Sequence, residues 1–130
     1  MNAARRYAQT QNETASKERL MVLLFETALR HIRTGAAALE SGKRAEANKV
    51  LGKASDIVLE LHGTLDPVQA PQLCEQLGEI YRFTVLRLTQ AISSGDPKAA
   101  REAERAFLPL VEAFQQAVAQ LGQGPKSVAR

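Results

Sequence analysis

The 130-residue chain has no tryptophan, two tyrosines, four phenylalanines and a single cysteine, Cys74. A lone cysteine excludes an intramolecular disulfide and fits a reducing compartment. The longest apolar run, Leu20 to Phe25, falls far short of the roughly 20 residues that cross a bilayer. Arg5 and Arg6 have no apolar stretch directly after them, so no secretory signal is expected. Excess charge is scarce as well. The formal net charge is +3, and Arg5/Arg6, Lys43/Arg44, Arg82/Arg87 and Lys126/Arg130 lie on different segments. Nucleic-acid binding wants a concentrated basic stripe, so these residues read as solvated surface. Catalytic signatures are also missing: there is no glycine-rich phosphate loop, nucleophile elbow or paired carboxylates in a cleft pattern. His31 and His62 have no glutamate three residues before them, which removes the Glu-x-x-His motif of di-iron bundles. Both are expected at the surface or the core boundary. No enzymatic activity, metal or cofactor is expected.

What the chain has in quantity is Ala, Leu, Glu, Gln, Lys and Arg, the strong helix formers. Its length suits one domain with a core of its own. Residues 1–15 are polar, lack a sustained period and read as a flexible N-terminal arm. Ser16 is the expected N-cap of a first helix running to about Ser41, stopped by Gly42. A second helix is predicted from Lys43 to Leu65. The stretch Gly63-Thr64-Leu65-Asp66-Pro67 then makes the one longer loop. A third starts at Pro71, a favoured first helical residue, and ends near Ser94. Gly95-Asp96-Pro97 stops it, caps the next helix and restarts the chain. The fourth covers Pro97 to about Leu121, with a kink expected at Pro109, and residues 122–130 form a flexible tail. Similar lengths and mostly short connections predict an all-α, antiparallel up-and-down four-helix bundle over 16–121.

Helical periodicity assigns the core. Met21, Leu24, Phe25, Ala28, Ile32, Ala36 and Leu39 share one face of the first helix. Val50, Leu51, Ala54, Ile57, Val58, Leu61 and Leu65 share one on the second. The third aligns Leu73, Leu77, Ile80, Tyr81, Thr84, Leu88 and Ala91, with Cys74 as a small buried hydrophobe. The fourth aligns Ala100, Ala103, Phe107, Leu110, Val111, Phe114, Val118 and Leu121. Leu20, Leu23, Leu59, Phe83 and Leu86 fall outside these stripes. Surplus apolar surface on three consecutive helices points to a partner, and adjoining patches would make a groove for an amphipathic helix or extended apolar peptide. Tyr7, alone in a polar arm, has two readings: a chance aromatic, or the anchor of an arm folded back as a removable cover.

The order Tyr7, Thr14-Ala15-Ser16, then Leu20-Met21-Val22-Leu23-Leu24-Phe25-Glu26-Thr27-Ala28 resembles the start of the flagellin-specific export chaperones, the FliS family. That family has a tyrosine-bearing arm, a T-A-S-P helix start and an M-L-Y-D-G-A segment. Lys53-Ala54-Ser55-Asp56-Ile57-Val58-Leu59-Glu60-Leu61 continues the match, as do Leu77, Ile80-Tyr81, Leu88 and Ala91 in the third helix. The resemblance covers residues 5 to 121. Lys17 departs from the family's proline, and Phe25-Glu26-Thr27 from its Tyr-Asp-Gly. The fourth helix matches only in length and pattern.

The resemblance implies a chaperone in the cytosol of a flagellated bacterium. It would bind the disordered C-terminal segment of flagellin, prevent premature polymerisation and keep the client fit for type III secretion. Client contacts would come from Leu20, Leu23, Leu24, Phe25, Leu59, Phe83 and Leu86, with Tyr7 as the cover. Other flagellar assembly or regulatory proteins are further candidate partners, and a monomer or weak homodimer is expected. The alternative is a helical adaptor or structural module in which the same patches pair two copies and no export client exists.

Overall fold

A computed structural model describes the backbone of residues 2–123, with side chains over residues 16–121. The Tyr7 side chain and the expected tail from residue 124 onward lie outside the described residues. Among the described residues four helices follow one another, α1 (Asn2–Glu40), α2 (Arg44–Gly63), α3 (Pro71–Ser94) and α4 (Pro97–Gln123). Each packs on two neighbours in the ring α1–α2–α3–α4–α1, and short links force antiparallel neighbours. The fold is the all-α four-helix bundle that the sequence predicts.

The helix boundaries follow from local chemistry. Gly42 takes a left-handed φ of 76°. The Lys43 amide donates to the Ala38 carbonyl and Gly42 to Leu39, which together satisfy the carbonyls at the end of α1. Gly95, with φ 68°, ends α3 by donating to Ala91. Asp96 caps α4 by accepting from the Lys98 amide at 2.9 Å. The start of α1 differs from expectation. Helical backbone runs from Asn2 straight through the boundary expected at residue 15, so Ser16 is interior and caps nothing. Lys17 explains this: a proline there would push the preceding residue out of helical geometry, whereas lysine continues the helix.

The core draws on all four helices. Phe25, Ile32, Leu51, Val58, Leu61, Tyr81, Leu88 and Phe107 are its large buried members. Phe25 is at its centre, 4.3 Å from Phe114, 5.6 Å from Phe107 and 6.5 Å from Tyr81, ring centroid to centroid. Thr84 is fully buried, and its hydroxyl donates to the Ile80 carbonyl at 2.8 Å. α1 and α2 approach closely at Gly35, where a Cβ would stand 2.4 Å from the Leu51 side chain.

Polar ties concentrate at the end holding the α1–α2 and α3–α4 turns. Arg101 donates to Glu40 at 2.7 Å and to Glu104 at 3.0 Å, and Glu104 also accepts from Arg33 at 2.8 Å. Arg87 pairs with Glu102. Arg44 donates to the Ile92 and Ser93 carbonyls, at 3.2 and 2.7 Å, closing the end of α3.

Candidate functional site

Five of the seven apolar residues singled out for client contact are at the surface. Leu20, Leu23 and Leu86 are each 55% exposed, Leu59 54% and Phe83 45%. Leu24 is half-buried against the core. Phe25 is fully buried and leaves the surface set. Its ring lies among three others, and its place on the core stripe, not its membership of the leucine-rich segment, decides where it points.

The exposed residues do not form one patch. Leu59 on α2 and Leu86 on α3 line a groove of about 330 Å³ between these helices, together with His62, Tyr81, Val85 and Thr89. Leu20 and Leu23 on α1 are not part of its lining. Phe83, one turn before Leu86 on α3, is not part of the lining either. Arg87 rests over its ring at 5.8 Å from the centroid and reaches across to Glu102 on α4. The α2–α3 groove is therefore where two of the surplus residues converge.

The groove is apolar with a basic edge. The His62 ring meets Tyr81 edge-on, 6.1 Å between centroids. Burial pushes the Tyr81 phenol up to about 12, so it stays neutral across the physiological range. Arg82 lines the same groove. Gly78 makes room for it, because a Cβ there would come within 3.1 Å of the guanidinium and 3.6 Å of His62 Nε2. Among the residues lining this groove no nucleophile is activated by a base, and its chemistry is that of an apolar contact surface beside an exposed cation. Both histidines are half-buried, as the boundary reading requires. His31 is held below its ordinary pKa by burial and by the nearby charges of Arg30 and Lys53. Among the described residues no group of three His, Cys, Asp or Glu side chains is placed to hold a metal. No described helix is long and apolar enough to cross a membrane.

Sequence periodicity assigned Leu73 and Leu121 to the core, but the structure leaves them 54% and 60% exposed. They occupy the first turn of α3 and the last turns of α4, away from the buried middle of the bundle. Val68, in the α2–α3 loop, is 88% exposed and was not anticipated. Cys74, in the same first turn of α3, is half-buried and less enclosed than its stripe position suggests. Tyr81, Arg82 and Val85 were also missed as groove residues. The available signal was their position on the flank of the α3 stripe beside Leu86.

Comparison with known proteins gives a consistent result. A family model described as Flagellar protein FliS matches residues 1–121. The chain is 30% identical over 112 residues to the flagellar secretion chaperone FliS of Bacillus subtilis (strain 168), covering 86% of this chain and 83% of that one. It is 30% identical over 115 residues to the flagellar secretion chaperone FliS of Salmonella typhimurium (strain LT2), covering 85% of each. The match to the flagellar secretion chaperone FliS of Vibrio cholerae serotype O1 is 29% over 89 residues, 68% of this chain and 65% of that one. A crystal structure described as a flagellar chaperone from bacteria superposes with a TM-score of 0.74 at 19% identity, covering 92% of this chain and 98% of that one. At that identity the likeness speaks to the fold.

Proposed function

This chain belongs to the FliS family of flagellar proteins, and from that premise we propose that it is a cytosolic export chaperone for flagellin. Its client is the disordered C-terminal segment, held so that it neither polymerises early nor loses competence for type III secretion. The observation that carries this reading is the α2–α3 groove, in which Leu59 and Leu86, each more than half exposed, flank a single apolar channel. An apolar client segment covering these two side chains removes their remaining exposed half from water, each worth roughly half of the about 1.5–3 kcal/mol that full burial brings. Leu20 and Leu23 on α1, and Phe83 next to Leu86 on α3, extend the contact as the client wraps around the bundle. The wrapping mode suits a disordered client, since ordering it consumes part of the interaction energy and keeps the complex releasable.

The test is calorimetric titration of the full chain with a C-terminal flagellin segment from the same bacterium. One-to-one binding with a negative heat-capacity change is expected, weakened about tenfold or more by Leu59→Asp or Leu86→Asp. Both positions are exposed, so these variants keep their fold. No binding, by the full chain and by a variant lacking residues 1–15, overturns the proposal. So does a tight homodimer that covers the groove.

A further inference from the structure

Helix α4 is held very unequally along its length. Before Pro109 it is tied to α1 through Arg101–Glu40 and Glu104–Arg33, and to α3 through Glu102–Arg87. Ala99, Ala100, Ala103 and Phe107 are all buried there. Beyond Val111 no described residue of α4 is buried. Phe114 and Val118 are half-buried, and Leu121 is mostly exposed. Among the described residues the one side-chain hydrogen bond from this stretch to another helix is Gln115 Nε2 donating to Glu26 Oε2 at 2.7 Å.

The boundary between the two regimes coincides with a missing backbone bond. α4 continues through Pro109, which has no amide hydrogen to give the Arg105 carbonyl. Arg105 and Pro109 are both exposed, so water can serve that carbonyl and the turn can flex without burying an unpaired group. A bend there displaces each later residue in proportion to its distance along the axis, about 1.5 Å per residue. Leu110 and Val111, next to the turn, stay nearly seated, whereas Leu121, roughly 18 Å further on, moves most.

We infer that the Arg105–Pro109 turn is a hinge about which residues 112–121 lift off α1 and uncover the Phe25 and Phe114 rings. Lifting separates the closest aromatic pair among the described residues, 4.3 Å between centroids, and breaks the Gln115–Glu26 hydrogen bond. The opening bares an apolar slot beside α1, separate from the α2–α3 groove. It is a property of the free chain and holds whatever the client.

Paired spin labels on the full chain test it, in a Cys74→Ser background. One label goes at Arg30→Cys on α1, and the other on α4 at either Gln120→Cys or Arg105→Cys, all exposed positions. The 30–120 pair is expected to show a distance distribution about twice as wide as the 30–105 pair, or a second, longer component. Adding Pro109→Ala restores the backbone bond and should collapse the 30–120 distribution to the width of the control. Equal narrow distributions for both pairs overturn the hinge. A broad 30–120 distribution that Pro109→Ala leaves unchanged also overturns it, because that is fraying from the helix end.

Discussion

Removing the Phe25 ring tests most directly whether this residue belongs to the core or to the client surface. The side chain is fully buried, with Phe114, Phe107 and Tyr81 around it at 4.3, 5.6 and 6.5 Å. Truncation to alanine forfeits the transfer free energy of the ring and leaves a cavity bounded by α1, α3 and α4. These rings are themselves close-packed and cannot collapse freely into the space. Buried Phe→Ala substitutions cost about 3–5 kcal/mol, and loss of ring-on-ring contacts favours the upper part of that range. For a chain of this length the unfolding entropy is about 0.27 kcal/mol/K near the midpoint, so about 4 kcal/mol lowers Tm by about 15 °C. Thermal unfolding followed by circular dichroism measures it, with Leu59→Ala as the surface control expected to shift Tm by less than about 2 °C. A fall below about 5 °C for Phe25→Ala would refute the central placement of this ring.

Gly35→Ala is expected to destabilise the bundle despite alanine's better helix propensity. The new methyl would sit 2.4 Å from the buried Leu51 side chain, and overpacking of about 1–3 kcal/mol outweighs a propensity gain of about 1 kcal/mol; a urea midpoint at or above wild type would contradict it. Acid should weaken the fold in two stages. Burial and neighbouring cations hold His31 below its ordinary 6.5. The Arg101 hydrogen bond keeps the Glu40 carboxyl below its ordinary 4.5. At Glu104, where burial pushes the value up, the hydrogen bonds and charges of Arg33 and Arg101 together outweigh it and hold the carboxyl below 4.5. Each folded-state value is depressed, so each contribution is present above the unfolded value and lost as pH falls through the folded one. Denaturant midpoints should therefore decline first below about pH 6.5, a slope that His31→Gln flattens, and again below about pH 4.5. The gap between wild type and Glu104→Gln should close as the second decline completes, and a gap independent of pH would show that the Arg33–Glu104–Arg101 ties are energetically idle.

The bundle was legible because its signals are local. Gly95-Asp96-Pro97 stops one helix and caps the next whatever surrounds it, Pro71 suits a first helical turn, and the apolar spacing picks one face per helix. The surplus residues Leu20, Leu23, Leu59, Phe83 and Leu86 were legible for the same reason, being defined only by their angle from each helix's own stripe. Other features were not. Phe25 belongs both to the core stripe and to the leucine-rich segment that marks the family, and only the rings of α3 and α4 around it decide between them. Leu73 and Leu121 continue their stripes in register, and periodicity carries no information on how tightly neighbouring helices close over the ends of an element. Ser16 carries the chemistry of a cap, yet a helix continues through it when no proline follows.

Sequence alone thus determined the number of helices, their punctuation and which residues each helix turns away from its own core, since these depend on contacts within a few residues along the chain. Tertiary structure decided which of those residues meet. It brought Leu59 and Leu86 into one groove and left Phe83 outside it beneath Arg87. It pressed α1 against α2 at Gly35 and gathered the ion pairs on one side of Pro109. Each of these depends on the rotation and axial offset of one helix against another, which complementary packing across the whole core selects and no single helix encodes.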